Sequence, residues 1–329
     1  MPRSPIAIST ALGYVFFSCA SIAWAQPAAD AVYRVLSTKE SRFQQELDRA
    51  AADGYRLVAG DAAFEVAILE RVRDDKRRSY LFARDVEGFL KQKQVLPGFR
   101  LIPSTFSSDG NSYSAVFQKI DGDEQAREYG FVKARSPSAL QKLFEKGRDG
   151  APGVIAIAWG GFGAAAIFEQ RTEATAACII ASGNTGALRE QIQAAGKQGL
   201  CFVDSDGRKE AFYALAQCAG GASPDYDVIA TTRTETFEKE LNELAAKGLR
   251  LVAAGLVSIE KRVLMMKAHN IETVGVVERV VEPTPIVYRV LSTLRLGTLE
   301  QELRAVAAEG FRLVAFAIGP KEWIAVLAK

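Results

Sequence analysis

Apolar residues recur along this chain in two alternating rhythms. Tyr33-Arg34-Val35-Leu36 is a short extended run. After the polar stretch Ser37–Ser41 come Phe43, Leu47, Ala50 and Ala51, spaced i, i+4, i+7 and i+8, which predicts one buried face of an α-helix. Gly54 stands where a left-handed helix cap belongs, and Tyr55–Ala59 returns to strand rhythm. Past the turn-forming Gly60-Asp61, Phe64–Arg71 predicts a third strand paired as a hairpin. The unit so read is βαββ.

The same grammar repeats. Gly54, Gly98, Gly150, Gly199, Gly248 and Gly310 serve as register marks, each ahead of a strand. The closing strands read Ala67–Arg71, Ala115–Lys119, Ala166–Gln170, Ala214–Cys218, Leu264–Ala268 and Ala325–Lys329, with first residues 48, 51, 48, 50 and 61 apart. The expectation is an α+β fold of six tandem βαββ copies, at 31–73, 78–120, 127–171, 176–218, 225–269 and 287–329. The long last interval places an insertion at Asn270–Pro285, where Val274, Val276, Val277, Val280 and Val281 suggest an extra strand before the Pro283-Thr284-Pro285 linker; strand and linker together occupy 270–286.

Tyr33-Arg34-Val35 with Gly54-Tyr55-Arg56-Leu57-Val58, and Tyr288-Arg289-Val290 with Gly310-Phe311-Arg312-Leu313-Val314, resemble a small bacterial βαββ domain family of unknown function whose second strand typically reads G-W-E-L-V. Arg replaces the usual acid here. The likeness covers most of copies one, five and six and fragments of two to four. It implies the fold and no activity.

Strand parity leaves both faces of each three-stranded sheet partly apolar, whereas one helix of about 12 residues covers only one face. The other face must meet a neighbour. The expectation is pairing of repeats into about three pseudo-twofold sheet-plus-helix units, each copy marginal by itself.

Candidate chemistry is sparse. Arg56, Arg100, Arg250 and Arg312 follow the register glycines and offer a row of anion-binding groups; the plainer reading lays each stem on the sheet and pairs it with an acid such as Glu65. His269 is the one histidine, read as solvated in a polar connector, so His-based metal sites and triads have no support. Trp159–Gly163 looks like a phosphate loop, but no helix follows it and a hairpin turn fits better. Asp204 and Asp206 in Val203–Gly207 read as a turn rather than a metal or glycosidase pair. The long copy-two turn holds Ser104, Ser107, Ser108, Asp109 and Asn111, the one polar break in the pattern. No cofactor and no catalytic or metal-binding residue is assigned.

The N-terminus changes the compartment. Arg3, the apolar run Ile6–Phe17 and Ala23-Trp24-Ala25 form a signal peptide over 1–25, cut between Ala25 and Gln26. The run is too broken for a membrane span, which needs roughly 20 apolar residues. Phe16-Phe17-Ser18-Cys19 offers an alternative, lipidation at Cys19. Cleavage removes Arg3, leaving 40 basic against 39 acidic side chains and a formal charge of +1, which gives no steering toward nucleic acid.

In an oxidising compartment Cys178, Cys201 and Cys218 can form one bridge. Cys178 and Cys201 begin strands one and two, which run parallel, so Cys178–Cys201 is the first choice and Cys178–Cys218 the second. The expected function is a secreted or periplasmic, non-catalytic repeat protein that binds another envelope protein or a small ligand. The alternatives are an envelope enzyme with a carboxylate site in a degenerate central copy, and a lipid-anchored scaffold.

Overall fold

The computed structural model describes residues 33–38, 42–93, 95–146, 153–169, 177–206, 211–263, 266–281, 284–319 and 322–329, with backbone alone for 146, 219, 258–263 and 266–270. Cys19, Ala25, Gln26, Gly150 and Pro283 lie outside the described residues. The architecture is α+β.

Unit 1 is β1 (Tyr33–Ser37), α1 (Phe43–Ala52), β2 (Tyr55–Asp61) and β3 (Val66–Arg71). Unit 2 is β4 (Arg78–Ala83), α2 (Val86–Gln92), β5 (Val95–Pro97), β6 (Phe99–Leu101), β7 (Ser107–Ser108) and β8 (Tyr113–Ile120). Unit 3 is β9 (Ala126–Ala134), α3 (Pro137–Lys146), β10 (Gly153–Gly160) and β11 (Gly163–Glu169). Unit 4 is β12 (Ala177–Ser182), α4 (Thr185–Lys197), β13 (Leu200–Asp206) and β14 (Ala211–Gln217). Unit 5 is β15 (Tyr226–Thr231), α5 (Thr234–Ala245), β16 (Leu249–Val263) and β17 (Met266–Arg279). Unit 6 is β18 (Tyr288–Thr293), α6 (Leu296–Ala308), β19 (Arg312–Ile318) and β20 (Trp323–Ala328).

Within a unit the third strand is central and antiparallel to both others, as in β1-β3-β2 and β18-β20-β19. Strands one and two are therefore parallel, as read from the sequence, but not adjacent. Gly54, Gly199, Gly248 and Gly310 follow their helices with φ of +75° or more, where a side chain would be strained. Gly98 also has φ +72° but sits between β5 and β6 rather than at a helix end, because α2 stops at Gln92. Freed from unit 2, β5 pairs with β9 and widens the unit 3 sheet to four strands.

The units meet head to tail. The helices α1, α2, α3, α4 and α5 pack on β4, β9, β12, β15 and β18, the first strand of the following unit, and α6 packs on β1. The second strands also neighbour one another in order, β10 on β13, β13 on β16, β16 on β19 and β19 on β2. The line of contacts closes on itself. Pairing into three pseudo-twofold units is thus not what the contacts show: each helix faces forward, so every joint has the same polarity.

The core is built at these joints. One apolar cluster unites α1, β2 and β3 with Tyr80 and Val116 of unit 2, and another joins Leu299, Leu303 and Ala307 of α6 to Tyr33, Ala59 and Ile68 of unit 1. The remaining four clusters straddle units 2 and 3, 3 and 4, 4 and 5, and 5 and 6. Each helix lies between its own sheet and the next, which is how a 45-residue unit hides both sheet faces.

The inserted strand expected at 270–286 is not an addition. Residues Thr273–Glu278 of β17 are the third strand of unit 5 and pair with β15. Leu264–Ala268 mimics a closing strand in its apolar-then-basic wording, but β16 and β17 run on past the end of β15 as a two-stranded arm, paired from Val257 with Glu272 to Val263 with Met266. His269 lies on this arm opposite Glu260, not in a connector.

Candidate functional site

Because joints rather than pockets carry the recurrent polar residues, the site is built from a joint outward. A tyrosine in the first half of the first strand inserts its hydroxyl into the preceding unit. Tyr80, Tyr129, Tyr226, Tyr288 and Tyr33 accept the backbone N–H of Leu57, Leu101, Phe202, Leu251 and Leu313 at 2.7, 3.2, 3.0, 2.9 and 2.9 Å. Each donor stands three residues after its register glycine. Burial pushes the phenols of Tyr33 and Tyr129 up to about 12 and raises those of Tyr80 and Tyr288.

A second device sits on the helix, at the residue after its first buried apolar side chain. Gln44 receives the N–H of Phe82 at 2.7 Å, Gln141 that of Ile179 at 2.6 Å, Glu238 that of Val290 at 2.8 Å and Glu300 that of Val35 at 2.9 Å. At the same position Arg189 donates to the Val228 carbonyl, and Glu87 pairs with Lys133 at 2.6 Å. An edge strand left open is a template for aggregation, and these contacts close it. The sequence carried the signal as a polar residue directly behind Phe43, Leu140, Leu188, Phe237 and Leu299.

The four register arginines are not free anion-binding groups. Arg56 and Arg312 both reach Glu70, at 2.7 and 3.3 Å, so this 5 % exposed carboxylate ties unit 1 to unit 6. Arg100 pairs with Asp123 at 2.9 Å and Arg250 with Glu278 at 3.7 Å. The pairing reading holds for all four, with Glu70 rather than Glu65 as the acid for Arg56.

The disulfide joins Cys201 to Cys218, with Cα atoms 4.9 Å apart, and Cys178 is free. The two expected pairings fail separately: β14 lies between β12 and β13, so Cys178 and Cys201 are two strand spacings apart, about 9–10 Å, beyond the reach of a bridge. Cys218 follows β14 beside Cys201, whereas Cys178 pairs with Leu215, three residues away. Burial raises the Cys178 thiol further from reactivity. Non-reducing peptide mapping of the native protein should recover the 201–218 pair linked and Cys178 alone alkylated. Breaking the 17-residue loop should cost about 3 kcal/mol.

The third joint departs from the others. Where the other five first strands carry a joint tyrosine, β12 carries none and opens on Ala177. Asp204 and Asp206 lie on β13, not in a turn, and accept the N–H of Ile157 at 2.8 Å and of Trp159 at 2.6 Å. Burial, followed by the charge of Asp206, holds the Asp204 carboxyl well above the usual carboxylate range. Trp159 is the penultimate residue of β10, just before the expected hairpin turn, and packs edge-on against Phe212.

The copy-two turn is likewise structural. Ser107 donates to Asp61 at 2.6 Å, while Asp109 accepts the N–H groups of Asn111 and Ser112 at 2.7 Å each. Among the described residues no three metal-capable side chains converge. A shallow recess of about 290 Å³ is lined by Gln193, Lys197, Ser223, Pro224, Asp225 and Tyr226. The element that breaks the pattern without serving a joint is the β16–β17 arm. Its base is anchored, with Leu256 and Val257 3 % and 1 % exposed.

Comparison with family models, curated proteins and solved structures found no match. No helix among the described residues is long and apolar enough to cross a membrane.

Proposed function

We propose that the chain is a secreted or periplasmic interaction protein, a closed ring of six βαββ repeats that engages another envelope protein through the arm of unit 5. The supporting observation is the arm itself. The hairpins of units 1, 3 and 6 turn within a few residues of their sheets, whereas β16 and β17 continue for seven further residue pairs beyond β15. A two-stranded ribbon is marginal alone, and a repeat array carries its binding insertions on one face. The compartment rests on the signal-peptide reading.

The test replaces residues 258–271 by a two-residue Asn-Gly turn in the full mature chain. Thermal stability should change little. Crosslinked capture from the native envelope should lose a protein that the intact chain retains. Equal capture by both forms would exclude the arm, and no capture by either would favour a small ligand or a reaction.

A further inference from the structure

We infer that the arm of unit 5 binds by strand addition: the open edge of β17 over Met266–Ile271 takes up an extended, acidic segment of the partner protein as a further strand of the unit 5 sheet. This rests on the reading of the arm as the binding element, and it names what the arm binds and how.

The edge is unlike any other third strand in units 1, 3, 4 and 6, where that strand is paired on both sides to within one residue of its ends. In unit 5 the ladder between β15 and β17 stops at Thr231 and Thr273. The chain turns away there through Thr232 and Arg233 into α5, with the Arg233 N–H donated to the Thr231 hydroxyl at 3.1 Å. Beyond that point Met266–Ile271 have β16 as their sole ladder partner among the described residues. Alternate residues of such an edge turn their backbone N–H and C=O outward, which makes it a template for another chain.

The place where β15 would continue is open. A recess of about 270 Å³ lies there between Thr231–Arg233 and Glu272. The bare length suits a strand of about five residues. It contains neither a proline nor a bulge, two of the devices that blunt natural edges.

Charge selects the occupant. Between 261 and 267 stand Lys261, Arg262 and Lys267, with no acid among them. Arg262 and Lys267 are moreover direct partners in the ladder, a like-charge pairing that costs stability and that an acid alongside relieves. A second copy of this chain would bring the same basic excess to the edge, which opposes self-pairing. An extended segment with Asp or Glu at alternate positions supplies both the backbone groups and the opposite charge.

The experiment follows amide hydrogen exchange in the full mature chain, alone and with peptides of about ten residues that alternate Thr-Glu or Thr-Lys. The Thr-Glu peptide should protect alternate amides between Met266 and Ile271 by about tenfold or more and leave Leu57 and Leu313 unchanged, while the Thr-Lys peptide should protect none. Arg262→Glu combined with Lys267→Glu should reverse the preference between the peptides. Protection by neither peptide, equal protection by both, or protection that rises with protein concentration alone, the mark of a second copy, would overturn strand addition. Those outcomes leave the arm reading in place when replacement of 258–271 still abolishes capture. Capture that survives the replacement removes the arm reading whatever the peptides do.

Discussion

Ending the chain at Pro285 will unfold far more than the unit removed. In an open repeat array the last unit has one neighbour, and its loss subtracts one interface. Here unit 6 has two. Its absence uncovers Phe237, Leu241, Leu249 and Leu256 on the unit 5 side and Tyr33 and Ile68 on the unit 1 side, each 7 % exposed or less. At about 1.5–3 kcal/mol per large side chain the loss is on the order of 10 kcal/mol, comparable with the whole stability of a typical protein. The truncated chain should therefore show a broad, non-cooperative melt and bind a hydrophobic dye. A sharp transition of proportionally smaller enthalpy would mean that the seam between units 6 and 1 contributes nothing. The companion measurement is a circular permutant that begins at Ala222 and joins Lys329 to Tyr33 through Gln26–Val32. That segment is about as long as the 72–77 connector between units 1 and 2. It should melt like the parent.

What was legible in the sequence was whatever a single unit decides for itself. Phe43, Leu47 and Ala50 fixed the inner face of α1, and Gly54 and Gly310 marked real left-handed caps, because helix period and positive φ are local properties. Alternation along Tyr33–Leu36 and Tyr55–Ala59 correctly required two covered faces. It could not say which neighbour covers them, since Val35 and Ile68 look equally apolar whether they meet a twofold mate or the forward-facing α6. Order within the sheet was lost for a related reason: parallel strands one and two fit a sequence argument with or without β3 between them. The error in the first-choice disulfide, Cys178–Cys201, follows directly from that omission. The arm was misplaced because Leu264–Ala268 and Thr273–Arg279 share one apolar-to-charged wording, and only pairing with β15 decides between them. With the third strand of unit 5 placed at Gly275, the 61-residue interval falls between units 4 and 5, which puts the insertion inside a hairpin rather than in a linker.

The closed contacts also account for the best-matched copies standing at the two ends. An open array needs atypical terminal units to shield its last apolar faces, so its ends usually diverge most. Units 1 and 6 shield each other. They keep the same tyrosine, the same polar acceptor on the helix, Gln44 or Glu300, and the same cap as an interior joint.

Tyr33→Ala should be among the most damaging single substitutions in this chain. The ring is 1 % exposed at the seam, and its hydroxyl accepts the Leu313 N–H at 2.9 Å. Removing a buried aromatic costs about 3–5 kcal/mol, and the donor left behind adds about 1–3 kcal/mol where water cannot replace the hydroxyl. Tyr33→Phe keeps the packing and deletes only the acceptor, so it should cost about 1–2 kcal/mol. Tyr226→Phe, at an interior joint with a 3.0 Å bond to Phe202, provides the comparison. If the ring is closed, the two phenylalanine variants should lower the urea midpoint equally. If the chain ends were merely lying side by side, Tyr33→Phe would leave it unchanged while Tyr226→Phe lowered it. Equality of those two numbers is therefore the direct measure of whether the first and last units form a joint like any other.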